Sequence, residues 1–249
     1  MQNLAVIVIP IHRNFLDKYE KVSLLRCLEV FKNYPIVLIA PEGLEISVYE
    51  ELGQKEVIFF EKQYFESVKG YSKLLTRPFF YKTFRQYDYM LIYQLDVFVF
   101  RDELAYWCSQ NYDYIGAPWI DDTWIKALSK KWKVPFLSNF FHRVGNGGFS
   151  LRKVSSFSWA SQIFSPFTAH MKLNEDIIWS NNPFSFTPLF KIPPFELALR
   201  FAFEEQPQKC FDLTEQKLPF ACHAWQKYES RFWVSHFANL GYDISFVLN

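Results

Sequence analysis

Read by its apolar and polar positions, the chain begins with an uninterrupted run, Leu4-Ala5-Val6-Ile7-Val8-Ile9, closed by Pro10. A strand covered on both faces shows no polar alternation, so this run predicts an interior strand of a parallel sheet. Val22, Leu25, Leu28 and Phe31 then recur at helical spacing, and Pro35 precedes a second apolar run, Ile36-Val37-Leu38-Ile39. Together they predict a strand, a crossover helix and a parallel strand. Val57-Ile58-Phe59-Phe60 predicts a third strand. From Tyr71 to Tyr87, the positions of Leu74, Leu75, Phe79 and Phe84 predict a helix. Pro78 must kink or restart it, because proline lacks an amide donor and clashes with the preceding turn. Tyr89-Met90-Leu91-Ile92-Tyr93 follows as the most apolar strand candidate of the chain.

The remainder is less regular. It holds a short strand near Tyr114, a polar and aromatic stretch from Asp121 to Arg143, a glycine-rich turn from Gly145 to Gly148, and helical patterns over Lys153 to Phe164 and Asp176 to Asn181. Strands alternating with helices predict an α/β fold, a Rossmann-like, mostly parallel sheet flanked by helices, with ligands at the carboxyl ends of the strands. A site just beyond Tyr93 follows. With no internal repeat and no flexible linker, residues 1–249 are read as a single domain.

Composition narrows the function classes. Half of the 249 residues are hydrophobic and 28 are Phe, enough for a sizeable core. The net charge of +1 offers no field for a phosphate backbone, so nucleic acid is not an expected partner. No apolar stretch approaches the roughly 18 residues of a membrane span, and the first residues lack a signal-peptide pattern, which together predict a cytoplasmic protein. Cys27, Cys108, Cys210 and Cys222 show no paired spacing, so buried free thiols are expected rather than zinc or a redox pair.

Four local features carry candidate chemistry. In Tyr93-Gln94-Leu95-Asp96-Val97-Phe98 a carboxylate interrupts an apolar run; it must end the strand and bond the next turn, or else pair or bind a cation. In Val144-Gly145-Asn146-Gly147-Gly148-Phe149-Ser150-Leu151-Arg152, the glycines permit either a tight hairpin or close approach of backbone to a ligand. Asn174-Glu175-Asp176 precedes Ile177-Ile178-Trp179: Asn174 is placed to cap a helix, and two adjacent carboxylates can also divide the work of orienting and deprotonating a hydroxyl. His223, in Phe220-Ala221-Cys222-His223-Ala224-Trp225, is either a satisfied core histidine or a ligand.

In their order along the chain, Tyr-Gln-Leu-Asp, Gly-Asn-Gly-Gly-Phe-Ser-Leu-Arg, Glu-Asp and His-Ala-Trp resemble the motifs of GT-A glycosyltransferases. They look like a bacterial family known only as a domain of unknown function. The resemblance implies a GT-A fold with a nucleotide-binding half, 1–100, and an acceptor half, 101–249. It implies transfer of a sugar from a nucleotide-sugar donor to a glycan or lipid-linked acceptor in bacterial surface polysaccharide synthesis. It further implies a divalent metal, Mn²⁺ or Mg²⁺, held by Asp96 and His223; Asp176 as the base of an inverting reaction, with Glu175 positioning the acceptor; and a donor site that includes Gln94, Asp96, Gly147 and Gly148. Gln94 departs from the pattern by standing where the first acid of a DxD motif falls, which loses a charge but keeps an amide oxygen.

The doubly wound topology together with the resemblance places Pro10, Ile11, His12 and Arg13 against the nucleotide, and Lys73 and Arg77 are candidates for its phosphates. Trp124 to Lys133 mixes aromatic residues with four lysines and no acid, which suits either a solvated helix or contact with the inner face of the plasma membrane. A catalytically inactive nucleotide-sugar-binding module, or a nucleotidyltransferase, would use the same sheet and carboxylates.

Overall fold

The computed structural model of the chain describes residues 4–53, 56–121, 130, 143–168 and 173–248. Its centre is a six-stranded sheet in the order β3 (Val57–Phe60), β2 (Ile36–Pro41), β1 (Ala5–Pro10), β4 (Tyr89–Tyr93), β7 (Phe149–Lys153) and β6 (Tyr114–Gly116). β3, β2, β1 and β4 pair in parallel, with Ile7 opposite both Ile36 and Leu91. β7 runs antiparallel between β4 and β6. The predicted mixed, mostly parallel sheet is therefore present, and its first strands fall on the predicted runs.

The absence of polar alternation in β1 has the predicted cause, since both of its faces are covered. Ala5, Ile7 and Ile9 pack with Leu24, Cys27, Phe31 and Tyr93, whereas Val6 and Val8 pack with Ile92, Phe80, Phe157 and Trp179. The helix Lys18–Val30 covers the first face, but turned from the predicted stripe: Leu24 and Cys27 face the core while Leu25 is exposed. The slot at position 26 takes an arginine because its guanidinium meets carbonyls there, Nε donating to Val99 O and Nη2 to Phe100 O, each at 2.7 Å. Between Tyr71 and Tyr87, Pro78 restarts the chain: Val68–Leu74 ends, and Pro78–Thr83 begins with the proline in its first turn, where a missing amide costs nothing. All four cysteines are buried and free, and among the described residues no helix is long and apolar enough to cross a membrane.

A second sheet of three two-residue strands, β5 (Phe98–Val99), β9 (Ala221–Cys222) and β8 (Ala202–Phe203), lies outside the sequence reading. Its register decides the site. β9 pairs antiparallel with β5, placing Cys222 opposite Phe98, and parallel with β8, placing Cys222 opposite Phe203. His223 is thereby delivered between the segment that carries Asp96 and the residue after β8, Glu204.

Candidate functional site

A cleft of about 760 Å³ opens at the carboxyl ends of β1 and β4. The loop after β1 forms one wall, with Pro10, Ile11, His12 and Arg13 all lining the cleft, and Gln94 and Asp96 contribute from the segment after β4. Ile11 N donates to Ile39 O at 2.9 Å, extending the pairing of β1 with β2. Tyr49 OH donates to Arg13 O at 2.9 Å and pins the loop from below. Arg13 Nη2 stands 2.5 Å from Glu20 Oε1 and 3.6 Å from Asp17 Oδ2. Asp17 and Glu20 also close the start of the helix Lys18–Val30 as a reciprocal capping box: Asp17 Oδ1 accepts from Glu20 N, and Glu20 Oε2 accepts from Asp17 N. That helix end is occupied by the protein's own carboxylates.

Asp96 and His223, distant in sequence, meet at the cleft: His223 Nε2 lies 3.1 Å from Asp96 Oδ1 and 3.3 Å from Gln94 Oε1. Glu204 Oε1 approaches the other ring nitrogen, Nδ1, at 3.2 Å. Burial opposes charge on His223, but Asp96 and then Glu204 outweigh it and hold the imidazole well above its ordinary range. Burial likewise opposes charge on Asp96, and the facing His223 more than compensates, holding its carboxyl below the usual range. Asp96 Oδ1 and His223 Nδ1 are buried with no partner in hydrogen-bonding alignment. Among the described residues no three His, Cys, Asp or Glu side chains form a ready metal cage. The donor set is instead two such groups and the Gln94 amide, a partial shell of the kind that hard cations complete with phosphate oxygens.

The glycine-rich turn closes on this cluster. Gln94 N donates to Gly148 O at 3.0 Å, continuing the ladder of β4 and β7 past Tyr93 and Phe149. A Cβ on Gly148 would overlap His223 Nε2 and come within 2.6 Å of Gln94 Oε1, and one on Gly147 would overlap Glu175 Oε1. No tight hairpin forms here, since Val144 and Ser150 both pair with the segment 116–118 and the glycines bulge out between them; the close-approach reading holds, although what approaches the backbone is the protein's own site residues.

Glu175 and Asp176 open the helix Glu175–Ser180. Asn174 occupies the cap position, but its side chain makes no capping bond. Asp176 Oδ1 accepts from Ile177 N at 2.7 Å. Burial first, then the charge of Glu175, pushes Asp176 up to about 7. Glu175 is placed differently from the expectation that it faces an acceptor. It is turned into the core, where Oε1 accepts from Arg152 Nη2 at 2.9 Å, because the fully buried Arg152 needs a counter-charge. Lys73 is a correction: it is exposed on the helix Val68–Leu74 and does not line the cleft. Arg77 reaches Ser165 Oγ at 3.3 Å. The segment 124–133, apart from Lys130, lies outside the described residues.

Glu204, Asn146, Arg152 and the cleft aromatics Tyr49, Phe65 and Tyr71 are site residues that the sequence reading does not assign a role. Aromatic residues default to core. Arg152 closes the glycine-rich run, and an arginine inside a strand is itself an unexploited signal of a buried acidic partner.

Residues 54–223 match the model of a family described as a protein of unknown function, DUF5672. No curated protein matches the chain in sequence. Solved structures similar to it include core-mannan synthase A from Aspergillus fumigatus in an Mn/GDP form. The two share 10% identity over 77% of this chain and 72% of that one, with a TM-score of 0.52. Galactosyltransferase LgtC in complex with donor and acceptor sugar analogues shares 16% identity over 94% of each chain, with a TM-score of 0.54. Mouse xyloside xylosyltransferase 1 shares 8% identity over 87% of this chain and 96% of that one, with a TM-score of 0.53. At such identities the likeness is one of fold, and the fold is that of GT-A glycosyltransferases.

Proposed function

We propose that this chain, which belongs to the family described as DUF5672, is a metal-assisted glycosyltransferase that takes a sugar from a nucleotide-sugar donor. The observation that carries the reading is the meeting of Asp96, His223 and Gln94 at one cleft that the loop Pro10 to Arg13 also lines. The nucleotide lies in that cleft, with its diphosphate directed toward Asp96. A divalent cation would be held by Asp96, His223 Nε2 and the Gln94 amide oxygen, and when bound it supplies Lewis-acid neutralisation of the leaving diphosphate. Support for a cation of this class comes from the orphaned Asp96 oxygen and from the Mn/GDP form of core-mannan synthase A.

The chain's own residues account for the other requirements. Asp176, held at about 7, takes the proton of the acceptor hydroxyl near neutral pH, where a base of matched strength works best. Arg152 and Glu175 fix the start of its helix beneath Gly147. Attack from the side opposite the leaving group would invert the anomeric centre, so a product of retained configuration would take the base role away from Asp176. The acceptor is a glycan or a lipid-linked sugar, by the resemblance of the motifs.

The test is thermal stabilisation across nucleotides and nucleotide-sugars with and without Mn²⁺, followed by identification of the leaving group released. One donor should raise the melting temperature, with an Mn²⁺-dependent part that Asp96→Ala removes. Release of nucleoside diphosphate marks glycosyl transfer and release of pyrophosphate marks nucleotidyl transfer. Donor binding with neither product would make the chain a binding module, the reading that Gln94 in place of an acid favours.

A further inference from the structure

Glu204 stands out among the residues around the cleft because nothing in the proposed reaction yet uses it. The parallel register of β8 on β9 sets Phe203 opposite Cys222, so the next residues, Glu204 and His223, stand side by side. His223 N donates to Phe203 O at 2.9 Å, which fixes that relation in the backbone. Both side chains are nearly buried, with exposures of 10% and 8%. Glu204 is not free to turn away: its Oε2 accepts from Asn146 Nδ2, and Asn146 Oδ1 accepts from Gly148 N at 3.0 Å. The glycine-rich turn therefore holds the carboxylate, and the carboxylate faces the ring.

To ligate a cation the ring must give up its second proton; the neutral imidazole that remains carries one proton, and its two nitrogens compete for it. With the proton on Nε2, that nitrogen donates toward Asp96 and Gln94 and has no lone pair for anything in the cleft. Nδ1 then turns a lone pair on the Glu204 carboxylate 3.2 Å away, which is repulsive. With the proton on Nδ1, it is given to Glu204, and Nε2 presents its lone pair between Asp96 and Gln94. We infer that Glu204, anchored by Asn146, is a positioning residue that selects the Nδ1–H tautomer of His223 and so turns Nε2 into a ligand for a cleft cation. The geometry fits the general arrangement in which a carboxylate takes the second ring proton of a metal-binding histidine. The buried Nδ1, which lacks an aligned partner, is the atom that this pairing would satisfy. Asn146 gains a role here as well, as the link between the turn and the ring.

The inference rests on the metal-assisted reading of the cleft, and the experiment separates the two. Mn²⁺ is titrated into the full chain and followed by electron paramagnetic resonance, and the His223 tautomer is read by ¹⁵N NMR on metal-free, histidine-labelled protein at a pH high enough to leave the ring neutral, with H223Q used for assignment. E204Q should weaken Mn²⁺ binding by about 10- to 100-fold and lower the Nδ1–H population. The introduced amide must offer its NH₂ either to Asn146 Nδ2 or to the ring, and neither suits. N146D/E204Q reverses the hydrogen-bond polarity of the link: the new carboxylate accepts from the new amide, whose carbonyl is free to accept from Nδ1–H. This pair should recover most of the lost affinity and the tautomer, which a general loss of packing would not allow. Mn²⁺ affinity and tautomer unchanged in E204Q, or a paired variant no better than E204Q in both measurements, would overturn the inference. Should Asp96→Ala also leave Mn²⁺ affinity unchanged, the cation reading is what has failed, and the tautomer measured in metal-free protein still decides the role of Glu204.

Discussion

Arg152→Met should lower the thermal midpoint by about 6–10 °C near pH 8, on the following grounds. Arg152 is fully buried, its partner Glu175 has a side chain 6% exposed, and the two meet at 2.9 Å. Removing one member of a buried pair leaves the other as an uncompensated charge, at a cost of about 3–5 kcal/mol. Unfolding entropy runs at about 2.1 cal/mol/K per residue; over 249 residues that makes each kcal/mol worth about 2 °C. The stranded carboxylate has one escape, which is to bind a proton. Burial already holds Glu175 above its ordinary range even with Arg152 beside it, so loss of Arg152 raises it further. A group raised in the folded state contributes stability at low pH and loses it as pH rises, so the deficit of the variant should be smallest near pH 5 and largest near pH 8. R152M/E175M should recover part of the loss, because an apolar pair of similar volume replaces both charges. Recovery stays partial, since Ser150 Oγ and Tyr81 OH each lose the hydrogen bond they accept from Arg152. Scanning calorimetry at both pH values measures all three proteins. A drop under about 2 °C at pH 8, or a double variant no more stable than the single one, would refute the reasoning.

Asp176→Asn should still be stabilised by donor while transfer falls by about 10²- to 10⁴-fold, as measured by nucleoside diphosphate release. In wild type, the rate at saturating donor should rise with pH through about 7 and level off above it, because a base works deprotonated. The contribution of Asp176 to stability runs the other way, present at low pH and lost as pH rises through about 7, as hydrogen exchange or melting against pH will show. Gly148→Ala should abolish Mn²⁺-dependent stabilisation, since the new methyl displaces His223 Nε2 and Gln94 Oε1 together; an unchanged response would mean that this turn does not set the ring. Leu24→Ala should cost about 2–5 kcal/mol, whereas Leu25→Ala should stay within about 0.5 kcal/mol; denaturant unfolding of the two reports the phase of the first helix.

The central sheet is legible in the sequence because strands buried on both faces leave long apolar runs, and β1, β2 and β4 are written that way. The phase of Lys18–Val30 is not, because a buried arginine bonding to carbonyls far along the chain cannot be told from a surface one until those carbonyls are placed. Asp96 announces itself by breaking an apolar run, and Gly147 and Gly148 by their density. Glu204 has no such mark, since only the register of strands two residues long separates it from Glu205. Lys73 shows the converse failure: proximity in sequence to the central strand does not specify which side of a short helix faces the cleft.

The capping box at the start of Lys18–Val30 has a consequence for how a nucleotide binds. A nucleotide entering beside that helix gains nothing from the helix dipole, whose positive end is already spent on Asp17 and Glu20, and it passes Glu66 and Asp96 as well. The phosphates of the proposed donor would be repelled by those carboxylates, and Arg13 on the same wall is already paired with Glu20 and Asp17. On the proposed reading, the nucleotide would therefore bind more tightly once the cation is in place, so that the ion assists entry as well as departure of the leaving group.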